Sequence, residues 1–185
     1  MKMNRELLKK NFEARGYKVF FFDTKEDAAE FMKKELEGKT VGMGGCTTAV
    51  QMGINGYATT RDAAEVFLTS ANGVAETGEL VNIDGYGNRV AATLNNTEHL
   101  YWLIGKNKIT PNLTEALYRA QNVAAPRNGF RLRKNTPCAK NNGEKCEGCR
   151  YTGNPECICH ATVIHDGPMR GMDVKVLFID EDLGL

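Results

Sequence analysis

Short apolar runs alternate with amphipathic stretches along this chain, and the alternation restricts the fold more than any other feature. The apolar runs have the length and composition of buried strands and lie at 18–23, 40–43, 66–69, 99–104 and 173–180. Apolar residues at helical spacing occupy the stretches 4–15, 24–36 and 112–122. Strands that alternate with helices pair in parallel and are covered by helices. We therefore expect an α/β fold, a three-layer Rossmann-like sandwich with a mostly parallel sheet.

The composition fits a single domain over residues 1–185 and excludes several classes of function. With 42% hydrophobic and 25% charged residues, the chain can bury a core of its own. The net charge of +1 provides no basic field for nucleic acid. No apolar run approaches the roughly 18 residues of a membrane span, so we expect no membrane partner. The amphipathic N-terminus lacks the apolar region of a signal peptide, which favours a cytoplasmic protein.

Five of the six cysteines lie between residues 138 and 159, in a stretch with little else to keep it folded. Between 134 and 160 the large apolar side chains are only Tyr151 and Ile158. Ordering the backbone costs about 1–2 kcal/mol per residue, far more than two such side chains return. A thiolate-bound metal contributes roughly 10–16 kcal/mol and a disulfide about 2–4. Residues 134–160 are therefore predicted to be a cysteine-rich, metal-type insertion, with disulfides or free thiols as the alternative.

A glycine loop between a strand and a helix is the first predicted anion site. Glycines allow close approach of a ligand to the backbone, and the start of a helix offers unpaired N–H groups. Without a Gly-Lys-Thr sequence or a clean dinucleotide fingerprint, we expect no nucleotide cofactor. The alternative is a tight turn capped by threonine, with the cysteine either a reactive thiol or a small buried residue. The predicted anion-binding residues of this loop are Gly44, Gly45, Cys46, Thr47 and Thr48.

The polar stretch after the strand at 66–69 supplies the second group of candidates. Ligands of open α/β sheets bind beyond the carboxyl ends of the strands. Segments 80–83 and 89–93 are predicted to pair as a hairpin around a turn at 84–87. Asp84 and Asn88 are interpreted as turn-setting residues. The predicted catalytic residues are Glu76, Glu79 and Lys108, and Asn72 and Asn107 are added to the anion-binding set.

Several of these motifs, in this order, resemble the lactate-utilisation (LUD) domain family from about residue 40 to the end of the chain. The resemblance implies a fold similar to that of ribose-5-phosphate isomerases and CoA transferases, with Cys46 where such anion loops usually carry serine. It also implies a role in the oxidation of lactate to pyruvate, alongside iron–sulfur proteins. The motifs that carry it are Asn72–Gly85, Ile104–Ile109, Ala125–Asn128, Thr136–Cys138 and Glu181–Leu185.

The chain departs from the family pattern in two places. Between Gly53 and Val66 it is short, with room only for a turn and a brief helix, which puts one wall of a pocket in doubt. Cys157 is an additional cysteine. The cysteines that match the family, and so the predicted metal ligands, are Cys138, Cys146, Cys149 and Cys159. Four thiolates suit a structural zinc ion and an iron–sulfur cluster equally, and His160 is a reserve ligand.

Three functions remain open at the level of sequence. The first is a component of the utilisation of lactate or a related small hydroxy acid. Such a protein would bind a small anion, and it would either carry an iron–sulfur cluster or work with a partner protein that carries one. The second is a cofactor-free isomerase or transferase that acts on a phosphate or thioester through Glu76 or Glu79. The third is a non-enzymatic binding or regulatory module. The oligomeric state is open, with a homo-oligomer as one outcome.

Overall fold

A computed structural model describes residues 3–185, and its architecture is organised by two sheets. The strands, in chain order, are β1 (Lys18–Phe22), β2 (Val41–Met43), β3 (Val66–Thr69), β4 (Gly73–Ala75), β5 (Leu80–Asp84), β6 (His99–Gly105), β7 (Ile109–Thr110), β8 (Ala161–His165) and β9 (Asp173–Ile179). The central sheet is parallel throughout, in the order β1-β9-β6-β3-β2. The smaller sheet has the order β7-β4-β5-β8 and is mostly antiparallel.

Helices surround these sheets. They are α1 (Arg5–Ala14), α2 (Lys25–Leu36), α3 (Thr47–Gln51), α4 (Asn88–Leu94), α5 (Leu113–Arg119), α6 (Ala125–Arg131) and α7 (Pro137–Lys140). A π-helical turn, Ala120–Ala124, joins α5 to α6. The Thr24 side chain accepts a hydrogen bond from the backbone N–H of Asp27 and so caps α2. None of the helices in residues 3–185 has both the length and the apolar character needed to cross a membrane.

The core lies on both faces of the central sheet because successive strand residues point to opposite sides. Leu68, Tyr101 and Leu177 pack with α2 and α3 in one cluster, whereas Phe67 and Trp102 pack on the other face with α1 and the smaller sheet. A third cluster lies between the smaller sheet and the α5–α6 segment and consists largely of small residues. The expected α/β architecture, with a mostly parallel central sheet between helices, is therefore confirmed.

The predicted strand at 89–93 is wrong, because this segment forms α4. The carboxylate of Asp84 accepts hydrogen bonds from the backbone N–H groups of Tyr86, Gly87 and Val90. These bonds turn the chain sharply after β5 and satisfy donors at the start of the helix, so a hairpin partner cannot form there. The short 53–66 segment contains only a 3-10 turn, Asn55–Tyr57, and a single bridge from Thr60 to Gly42.

The 134–160 segment contains α7 and a 3-10 turn, Cys149–Tyr151, as its regular elements. It is attached to the domain at both ends. The Cys138 sulfur lies against Gly129 of α6, where an added Cβ would come within 3.4 Å of it. The backbone N–H of His160 donates to the Asp84 carbonyl at 3.0 Å, where the chain enters β8. The cysteines are therefore held beside the end of β5.

Candidate functional site

A cleft opens beyond the carboxyl ends of β2, β3 and β6. Because these strands are parallel, the residues that follow them meet at one edge of the sheet. The segments that meet there are Gly44–Cys46 after β2, Ser70–Asn72 after β3 and Lys106–Lys108 after β6. The cleft has an inner cavity of about 40 Å³ and an outer cavity of about 330 Å³, and both are lined by Gly45, Asn72, Arg89 and Asn128.

Lys108 forms the floor of the inner cavity and is only 4% exposed. Its ammonium donates to Ser70 Oγ at 3.0 Å and to the Ala71 carbonyl at 3.3 Å. Ser70 Oγ in turn donates to the Leu103 carbonyl at 2.6 Å. Among the described residues, no Asp or Glu lines this cavity. Both hydrogen-bond partners of the ammonium are therefore neutral, and the C-terminal residues Gly184 and Leu185 lie beside it and the cavity.

The consequence is a strongly perturbed lysine. Burial lowers the pKa of Lys108 to about 7, because the ammonium loses its hydration. The charge interaction with Cys46 raises the pKa of Lys108, while the neighbouring guanidinium groups of Arg119 and Arg89 lower it further. A buried lysine that titrates near neutrality beside a cavity is a frequent feature of binding and catalytic sites.

Arg89 extends from α4 into the wall shared by the two cavities. It donates to Asn72 Oδ1 at 3.2 Å and to the Ile83 carbonyl, and Asp84 Oδ2 lies 3.7 Å from its Nε. Burial lowers the pKa of Arg89, and Asp84 opposes this. Burial alone would raise the pKa of Asp84, but the Gly87 N–H and the charge of Arg89 outweigh it and hold that pKa below its usual value. Asp84 is thus an ionised residue that fixes the turn and Arg89.

Arg119 supports the site from behind. It is 7% exposed and donates to the carbonyls of Asn107, at 2.9 Å, and Asn72. Burial and nearby Arg127 lower its pKa to about 10. The Asn107 side chain accepts from the Leu183 N–H at 3.1 Å and lines neither cavity. Asn107 and Arg119 therefore position the loops of the cleft.

The glycine loop contributes as a group, although its members differ. Gly45, Cys46 and Thr47 line the inner cavity and Gly44 lines the outer one. Thr48 is fully buried, with its hydroxyl 3.5 Å from Ser70 Oγ. Cys46 caps α3 by accepting the Ala49 N–H at 3.4 Å, and burial raises the pKa of its thiol. The structure therefore gives Cys46 the character of a buried thiol.

The two predicted acids lie elsewhere. Glu76 and Glu79 belong to the turn between β4 and β5, at the opposite end of those strands from Asn72, and line neither cavity. Glu79 forms an ion pair with Arg15 of α1 and accepts from the Thr77 hydroxyl. The structure brings the glycine loop, Asn72 and Lys108 together but does not bring these acids to them.

Several residues of the cleft were missed by sequence reasoning. The clearest signal was available for Ser70, which directly follows an apolar strand, and for Asn128, which belongs to one of the motifs quoted above. Arg89 was missed because its helix was predicted as a strand. Other missed residues come from distant segments and include two cations and an apolar side chain: Arg61, Lys134 and Ile158.

The five clustered cysteines form no disulfides. The Cys149 and Cys157 sulfurs lie 3.5 Å apart, and Cys157 Sγ accepts the Cys159 N–H at 3.4 Å. Burial raises the pKa values of Cys149 and Cys159 to about 12, and the other cysteines of the cluster contribute by mutual repulsion of their thiolates. Cys157, which has no counterpart in the family pattern, is thus central to the cluster.

The residue types of the cysteine cluster favour metal binding, whereas the arrangement of the side chains does not form a metal site. Thiolates that repel one another suit a soft cation, which would relieve the repulsion. In the part of the chain that the structure describes, no three His, Cys, Asp or Glu side chains are arranged to hold one ion. A cavity of about 340 Å³ lies beside the cluster and is lined by Cys149, Cys157, Cys159 and His160. The residues fit a thiolate-bound metal in type, and metal binding stays a prediction.

Comparison with known proteins identifies the family. The model of the LUD domain matches residues 5–65 and 58–179. A crystal structure of a DUF162 family protein from Deinococcus radiodurans has a similar fold, with a TM-score of 0.55 and 14% sequence identity over 96% of this chain and 99% of that chain. Comparison with curated proteins finds no match. The chain therefore belongs to the LUD domain family, which is linked to lactate utilisation.

Proposed function

We propose that this protein is an anion-binding component of the utilisation of lactate or a related small hydroxy acid. The carboxylate of the ligand occupies the inner cavity, between Lys108 and Arg89. The observation that carries the proposal is the buried Lys108 ammonium, which has only neutral hydrogen-bond partners and opens onto a cavity at the carboxyl ends of parallel strands. The family's link to lactate utilisation supports the choice of ligand.

The energetics favour an anion in this cavity. Burial of an unpaired ammonium costs several kcal/mol, and a charged partner offsets much of that cost. Lys108 and Arg89 are the two cations of the inner cavity, and no acidic side chain lines it among residues 3–185. The amide of Asn128 and the hydroxyl of Thr47 also line it and provide partners for the hydroxyl group of a hydroxy acid.

The cysteine cluster completes the proposal. Cys138, Cys146, Cys149 and Cys159 hold an iron–sulfur cluster or a zinc ion, with Cys157 available as a further ligand. An iron–sulfur cluster would supply one-electron transfer, and zinc would supply structural stability. Ile158, between Cys157 and Cys159, lines the outer cavity and contacts Gly85, where an added Cβ would lie 3.0 Å from Ile158 Cα. This contact places the backbone of the cysteine segment against the cleft.

Lactate binding tests the anion site. Isothermal titration of wild type at about pH 6 is expected to give saturable binding, and Lys108→Met is expected to lose at least tenfold in affinity. Lys106→Met is the matched control, since Lys106 lies two residues away in the same turn and pairs with Asp180 at 3.1 Å. Equal loss in both variants, or no binding by wild type, would contradict the proposal.

Anaerobic purification tests the cysteine site. Broad visible absorbance, with iron and sulfide at stoichiometric levels, supports electron transfer. A colourless protein with stoichiometric zinc supports a structural site and removes the electron-transfer element. A protein that contains neither, and that takes up neither after reconstitution, overturns the metal-binding part while the anion site is judged by titration alone.

A further inference from the structure

The two cavities of the cleft differ in size and continue into one another. The inner cavity, about 40 Å³, suits a single small anionic group, whereas the outer cavity, about 330 Å³, lies within the range of sites that enclose larger ligands. Gly45, Asn72, Arg89 and Asn128 line both. A ligand the size of lactate at Lys108 would leave the outer cavity unfilled.

The outer cavity has its own cations at its mouth. Arg61, Arg131 and Lys134 line it, and within the described residues none of them forms an ion pair. Arg131 is held in place by Asn128, whose Oδ1 accepts from its Nε at 3.1 Å and from its terminal nitrogen at 2.7 Å. This contact fixes a guanidinium at the mouth and leaves the Asn128 amide nitrogen available to donate into the cleft.

Asp84 is the one acidic side chain that lines the outer cavity among residues 3–185, and it is already engaged. Its two carboxylate oxygens accept three backbone N–H groups and face Arg89. Asp84 therefore balances Arg89 and leaves the cations of the mouth without a counter-charge. Between the inner and outer cations the wall is partly apolar, with Ile83, Leu132 and Ile158.

We propose that the cleft takes a two-ended anion, with a carboxylate or phosphate at each end and an apolar middle. One end lies in the inner cavity at Lys108, the middle packs on Ile83 and Ile158, and the other end meets Arg131 and Lys134. The inference rests on the proposed function, because it uses the same inner anion site. It names a ligand class larger than lactate.

Dicarboxylates of increasing length provide the test. Succinate, adipate and suberate are titrated by calorimetry at low ionic strength and compared with butyrate, hexanoate and octanoate, which have the same chain lengths and one charge less. We expect a dicarboxylate long enough to reach the mouth to bind at least about tenfold more tightly than its monocarboxylate. The double variant Arg131→Gln, Lys134→Gln is expected to abolish this gain, whereas Lys140→Gln, an exposed cation of α7 outside both cavities, keeps it.

The following results would overturn the inference or replace the test. No gain at any length, or a gain that survives in the double variant, overturns the inference. If lactate binding still depends on Lys108 in that case, the proposed function stands alone. Should the double variant fail to fold, as judged by its thermal transition, Arg61→Gln replaces it and is expected to reduce the same gain. If Lys140→Gln loses the tighter dicarboxylate binding to the same extent, the effect arises from the overall charge of the protein, which also overturns the inference.

Discussion

Lactate affinity is expected to fall as the pH rises through the pKa of Lys108. That pKa is about 7 in the free protein because burial penalises the ammonium. Between about pH 6 and about pH 9, the charged fraction falls from roughly nine tenths to about one hundredth. If only the ammonium binds the carboxylate, affinity falls by up to roughly 100-fold, or about 3 kcal/mol. Bound lactate raises the pKa of Lys108, so the decline is expected to level off at alkaline pH.

The neighbours of Lys108 allow this titration to be assigned. Burial raises the pKa of the Cys46 thiol, which stays neutral over most of the range. Arg89 and Arg119 stay protonated, since even the lowered pKa of Arg119 is about 10. His165 of β8, which lines neither cavity, is also neutral across the range, because burial lowers its pKa to about 4. Lactate is the suitable probe because its carboxylate stays ionised, whereas phosphate titrates in this window.

The same lysine makes stability depend on pH. Its folded pKa lies below the unfolded value of about 10.4, so the unfolded chain binds more protons between pH 7 and pH 10. Stability is therefore expected to rise with pH across this window. The cost of the buried charge is fully present below pH 7 and is on the order of 5 kcal/mol.

Lys108→Met separates the two effects. The variant is expected to be more stable than wild type at about pH 6 and to lose the rise in stability towards pH 10. Calorimetric titration and urea unfolding over the pH series measure affinity and stability. Wild-type lactate affinity that does not change between pH 6 and pH 9, or a pH profile that persists in Lys108→Met, would refute the reasoning.

Three further changes test other parts of the structure. Glu79→Gln is expected to lower the free energy of unfolding by about 1–3 kcal/mol through loss of its ion pair with α1, with lactate affinity retained; a large loss of affinity in calorimetry would favour a role in the site instead. Gly44→Ala would place a Cβ 2.8 Å from a side chain of α4, so we expect about 1–3 kcal/mol of destabilisation in urea and weaker lactate binding, while Gly56→Ala, with open space around it, changes neither. Cys149→Ser is expected to lose bound metal in elemental analysis and Cys46→Ser to retain it, since Cys46 lies in the glycine loop; equal metal content in both would count against the cysteine site.

The strands of the central sheet could be predicted because their signal is local. β1, β3, β6 and β9 are short apolar runs. β3, β6 and β9 are largely buried on both faces, so their apolar runs can be recognised without knowledge of the strands with which they pair. The smaller sheet was largely missed. Its strands β4 and β7 span three and two residues, and β8 alternates between partly buried and exposed positions. Such strands are defined by the neighbours with which they pair.

The residues of the site also divide into those with a local sequence signal and those defined by distant neighbours. The glycine loop and Lys108 were predicted because each follows an apolar strand, and parallel strands bring their carboxyl ends to one edge. Arg89 was not, because the segment from 88 to 94 is ambiguous between helix and strand until the Asp84 carboxylate caps it. Glu79 was predicted to be catalytic because of its residue type. Its ion pair with Arg15, which the sequence does not reveal, indicates a structural role instead.

The order of the main strands, the position of the glycine loop and the clustering of the cysteines along the chain follow from the sequence alone. These depend on periodicity and spacing over a few residues. Three other features depend on the tertiary structure. Lys108 is buried with no acidic side chain beside it, Asp84 pairs with Arg89, and the cysteine segment lies against the cleft through Ile158. Burial and charge balance are sums over segments distant in sequence, so no local pattern can encode them.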